Sequence, residues 1–65
     1  MSELEQKIHD FVRNSAYPVS PNQIFQGLKD EGMDVTMDKV LRATESLVEK
    51  GFLVDSGVVS YFAIG

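Results

Sequence analysis

Apolar positions recur at helical spacing three times along this chain and then switch to alternation. Leu4, Ile8, Phe11 and Val12 fall on one helical stripe. Ser2-Glu3-Leu4-Glu5 fits a capping box at its start, in which Ser and Glu satisfy each other's free backbone amides. Glu3 and Glu5 lie at the positive end of the helix dipole and Arg13 near the negative end. The pattern fades at Asn14-Ser15, and Pro18 pushes Tyr17 towards extended geometry. Val19 fits a one- or two-residue strand. Ser20-Pro21-Asn22-Gln23 then starts a second helix, with Ser20 as N-cap, Pro21 at the first helical position and Gln23 closing a second capping box. Ile24, Phe25 and Leu28 form its inward face, and it ends near Glu31 with Gly32 as cap.

Thr36 is the expected N-cap of a third helix, with Asp38 in its first turn. Val40, Thr44, Leu47 and Val48 line one side, flanked by Met37 and Leu41, and Gly51 after Lys50 is the stop. Beyond Gly51 the period becomes two. Phe52-Leu53-Val54 and residues 58–64 read as strands around an Asp55-Ser56-Gly57 loop. Alternation places Phe52, Val54, Phe62 and Ile64 on one face and Leu53, Val59 and Tyr61 on the other. The expectation is that Phe52, Phe62 and Ile64 face inward. Leu53, Val59 and Tyr61 would then form an exposed apolar patch beside an open strand edge at 58–64.

Residues 1–65 suit one domain, near the lower limit for independent folding. The 43% hydrophobic content supports a core without disulfides, since there is no Cys. No apolar run approaches the roughly 20 residues of a membrane span. MSELEQKIHD lacks the apolar core of a secretory signal, so an intracellular setting (cytoplasm, nucleoid or nucleus) is expected. One His, no Cys and no glycine-rich phosphate loop argue against an enzyme, a metal site or a cofactor.

Ten acids against six bases give a net charge of −4, unlike the basic footprint of most nucleic-acid modules. On the third helix, Lys39, Arg42 and Lys50 balance Asp38, Glu45 and Glu49. Lys39, Ala43, Ser46 and Lys50 share one expected exposed stripe, and Arg42 can pair with Asp38 or Glu45. From Gly51 to Gly65 the only charged side chain is Asp55.

Three helices followed by a β-hairpin resemble the winged helix-turn-helix superfamily, an α+β fold with a small antiparallel sheet. Pro18-Val19-Ser20, Ile24-Phe25 with Leu28, the spacing of Val40, Leu47 and Gly51, and Tyr61-Phe62-Ala63-Ile64 carry the resemblance across nearly the whole chain. Val40-Leu41-Arg42-Ala43 and the Tyr-Phe-Ala ending are similar to the N-terminal domain of TBPIP-type meiotic recombination proteins. The acidic composition is similar to the C-terminal domain of the replication protein A middle subunit, which docks protein partners.

The resemblance implies a DNA-binding module of a transcription-regulatory or DNA-maintenance protein. Such a module reads duplex DNA through the third helix, here by Lys39, Arg42, Ser46 and Lys50. The alternative is an acidic protein-docking module that uses the uncharged wing, through Leu53, Val59 and Tyr61, on a partner with a basic or apolar segment. The open edge would also accept a second copy of the chain.

Overall fold

The computed structural model describes residues 1–57 and 60–63; of Phe62 it describes only the backbone. Helices α1 (Glu3–Arg13), α2 (Pro21–Asp30) and α3 (Met37–Glu49) precede two short strands, β1 (Leu53–Asp55) and β2 (Tyr61–Ala63). The architecture is a small α+β domain in which no helix is long and apolar enough to cross a membrane.

Local chemistry sets the helix ends. Both capping boxes form: Ser2 N donates to Glu5 Oε1 at 2.9 Å, and Ser20 N donates to Gln23 Oε1 at 2.8 Å. Thr36 Oγ1 accepts from Lys39 N at 3.2 Å at the start of α3. Gly32 and Gly51 follow α2 and α3 with φ of +87° and +85°, in the left-handed region that favours glycine. After each, the chain closes a Schellman motif. Met33 N donates to Leu28 O at 3.0 Å, and Phe52 N donates to Leu47 O at 2.9 Å.

The three helices bury Ile8, Val12, Ile24, Leu28, Val40 and Leu47 against one another. Thr44 lies among them fully buried, its hydroxyl donating to Val40 O at 2.7 Å, so its polar atom is satisfied within its own helix. Gly27 lets α1 approach α2 closely, since a Cβ there would overlap the Phe11 ring.

β1 and β2 pair antiparallel with Leu53 opposite Ala63 and Asp55 opposite Tyr61. Ser56 N also donates to Ser60 O at 2.9 Å beyond the last strand pair. Val19, between α1 and α2, exchanges both backbone hydrogen bonds with Tyr61, at 2.9 and 2.8 Å. Tyr61 therefore has β1 on one side and Val19 on the other. The expected open edge at residues 58–64 is not found at Tyr61; the outer strand is β1.

The two faces of the strands are also reversed from expectation. Leu53 is 2% exposed and Tyr61 9%, both within the core, whereas Phe52 is 37% exposed. The reason lies at the helix stop. Phe52 still belongs to the Schellman turn of α3, so the strand phase starts at Leu53 and turns that side chain inward. Val59 and Ile64, and the side chain of Phe62, lie outside the described residues.

Candidate functional site

The outward surface of α3 carries Asp38, Lys39, Leu41, Arg42, Glu45 and Glu49. Arg42 Nε lies 3.2 Å from Asp38 Oδ2, one helical turn back, with both side chains largely exposed (80% and 72%). Such a pair contributes about 0.3–0.5 kcal/mol and leaves the guanidinium able to exchange partners. Lys39 is exposed, with no ion pair among the described residues.

Of the expected exposed stripe, Lys39 and Lys50 are exposed, but Lys50 is tethered by Glu5 and Ala43 and Ser46 are half-buried. The Ser46 hydroxyl and the Lys50 ammonium both turn towards α1. Ser46 Oγ donates to Glu5 Oε2 at 2.9 Å, and Lys50 Nζ meets the same oxygen at 2.9 Å. Glu5 Oε1 meanwhile accepts from Ser2 N. One carboxylate thus completes the cap of α1 and ties α1 to the C-terminal half of α3. The Ser2 backbone amide first, then Lys50 and Ser46, hold the Glu5 carboxyl down at about 2 against an ordinary value of 4.5. Glu5 is recognisable from sequence as a capping residue. Its partners lie 41 and 45 residues away, where no local pattern points.

The other flank of α3 faces the strands across a groove of about 260 Å³, lined by Glu45, Val48, Glu49, Asp55 and Tyr61. Its three carboxylates include no member of an ion pair among the described residues. Asp55 Oδ1 accepts from Gly57 N at 3.0 Å. Burial, and then the nearby charges of Asp55 and Glu45, push the Tyr61 phenol up. The described hydrogen bonds include none to the Tyr61 hydroxyl.

A second, larger depression of about 390 Å³ lies between α1 and the end of α2, lined by Lys7, Asp10, Phe11, Asn14, Ser15 and Glu31. It mixes both charge signs with a single aromatic ring and does not favour one ligand class. His9 is 7% exposed, and neither of its ring nitrogens has a hydrogen-bond partner among the described residues. Its ring meets Phe52 edge-on at 5.7 Å. Among the described residues no three His, Asp or Glu side chains gather closely enough to hold a metal ion.

No family model, curated protein or solved structure matches this chain.

Proposed function

We propose that this chain is a winged helix-turn-helix module, its strand pair forming the hairpin wing, that docks a basic segment of a protein partner on the acidic side of α3. One observation carries the reading. Of the four groups expected to read DNA, Ser46 and Lys50 are engaged by Glu5. What α3 then presents outward is Asp38, Glu45 and Glu49 against Lys39 and Arg42. Duplex DNA is bound chiefly by releasing counterions from phosphates, with affinity changing with salt at a slope of about −0.9 per contact. Two bases would give a slope of only about −2, against an overall charge of −4 that repels the backbone.

A second reading, weak duplex binding through Lys39 and Arg42, is favoured by their exposure on the helix that such folds insert into the major groove. Titrating the ¹⁵N-labelled chain with duplex DNA, single-stranded DNA and an arginine- and lysine-rich peptide, at low and physiological salt, separates the two. Docking predicts peptide-induced shifts from Asp38 to Glu49 and none with DNA. Shifts with duplex centred on Lys39 and Arg42, weakened by Arg42→Ala, would replace docking with DNA binding.

A further inference from the structure

We propose that His9 is the trigger of a pH switch: in mild acid its imidazolium takes over the Glu5 carboxylate and releases Lys50 from the tie between α1 and α3. The switch does not depend on which partner α3 binds. His9 is 7% exposed, and both ring nitrogens are buried without a hydrogen-bond partner among the described residues. Buried polar atoms are nearly always paired, so an enclosed imidazole with neither nitrogen engaged calls for a role beyond packing. Histidine is the side chain that ordinarily changes charge between about pH 5 and 8. Once protonated, the ring has two N–H donors and no acceptor, and a buried charge without a partner is strongly unfavourable.

Glu5 is the acceptor that the helix brings within reach. It and His9 lie on the buried face of α1 at a spacing of four, which sets Cβ atoms about 5–6 Å apart. The Ser2 amide, Lys50 and Ser46 hold the Glu5 carboxyl at about 2, so it stays ionised wherever histidine titrates. No other group around His9 can answer its charge. Arg13, one turn further on, is an exposed cation. From α3, Ser46 and Lys50 already donate to Glu5 Oε2, each at 2.9 Å, while Glu45 and Glu49 line the opposite flank with Asp55 of β1. β2, which also packs on α1, holds Tyr61 and Ala63, neither of them ionised at neutral pH. α2 meets α1 through Gly27 and Phe11, and its Lys29 and Asp30 are exposed. Phe52 completes the enclosure, edge-on to the ring at 5.7 Å.

Lys50 is the partner that leaves, because its side chain is 48% exposed and His9 is enclosed. An ammonium that returns to water loses little, whereas a buried imidazolium without a carboxylate has nothing to offset its desolvation. The exchange replaces a half-open ion pair with a buried one and leaves Ser2 N on the other oxygen of Glu5. The released ammonium faces solvent at the end of α3, so mild acid adds a base to that surface.

The test follows the full chain by NMR from about pH 8 to about pH 5, reading the Lys50 Nζ, the Glu5 carboxyl carbon and the His9 ring. The three signals should move together with one midpoint while the amide spectrum stays that of the folded chain. The Lys50 signal should end where that of Lys39 lies, a lysine with no ion pair among the described residues. In His9→Gln, which takes up no proton, the Lys50 movement should be lost. In Glu5→Gln the Lys50 signal should sit at the released position already at neutral pH. A His9 ring that titrates without moving Lys50, or a Lys50 shift that survives in His9→Gln, would overturn the switch. So would a ring that keeps one charge state across the range, or a chain that unfolds as His9 gains its proton.

Discussion

On one flank of α3, Ser46 and Lys50 are engaged by Glu5 of α1; on the other, Glu45 and Glu49 face Asp55 and the Tyr61 hydroxyl with no base among them. Both flanks belong to one helix, which with its C-cap Lys50 has three acids and three bases. Their difference shows that net charge per element says little about what a surface can bind. A base that closes an internal contact no longer attracts phosphate. Lys50 stays exposed, but its pairing with Glu5 leaves the unpaired acids of α3 more prominent than composition implies.

The largest effect is expected on the strand flank, where Leu53 anchors β1 in the core. Leu53→Ala should cost about 2–5 kcal/mol, a large part of the total of roughly 3–10 kcal/mol that a chain of this size has. Phe52→Ala, at a half-open position, should cost much less. Chemical denaturation of the two variants checks this, and equal losses would restore the opposite assignment of the strand faces.

The α1 flank should show its role through pH. The folded value of Glu5 lies below its unfolded one, so the carboxylate's contribution is complete above about pH 4.5 and is lost as pH falls towards 2. Glu5→Gln should lower the melting temperature at neutral pH and flatten that part of the acid profile. An unchanged acid profile would mean that the tie between α1 and α3 contributes nothing to stability.

The smallest effect concerns the imperfect part of the same flank. His9 is buried without a hydrogen-bond partner among the described residues, a condition that costs about 1–3 kcal/mol. His9→Leu keeps the contact with Phe52 while removing the polar atoms, so thermal melting should show a gain of about 1 kcal/mol. A loss instead would show that the imidazole makes a bond in solution that joins the two flanks.

Much of the fold is legible in the sequence because helix ends are local problems. Ser2 with Glu5, Ser20 with Gln23, Thr36, Gly32 and Gly51 each satisfy backbone groups within a few residues, and each acts as its spacing implies. The period-two segment after Gly51 likewise identifies strands, and Val19 is found pairing as a strand residue. Which face of those strands turns inward is a different matter. Alternation fixes only relative sides, and the phase depends on where the α3 turn releases the chain. Gly27 shows the same limit: a glycine inside a helix reads as a weak point, while its use, room for Phe11, is visible only when α1 and α2 are packed.

The sequence by itself determined the elements, their order and the helix ends, since these follow from capping, periodicity and glycine geometry over spans of a few residues. The strands expected at 52–54 and 58–64 are found at Leu53–Asp55 and Tyr61–Ala63. Only the tertiary structure decided the candidate surface. Glu5 reaches Ser46 and Lys50 across more than 40 residues, and Val19 and β1 together enclose Tyr61. Those contacts choose which charges remain for a partner, because a side chain can be satisfied by only what packing brings within hydrogen-bond reach.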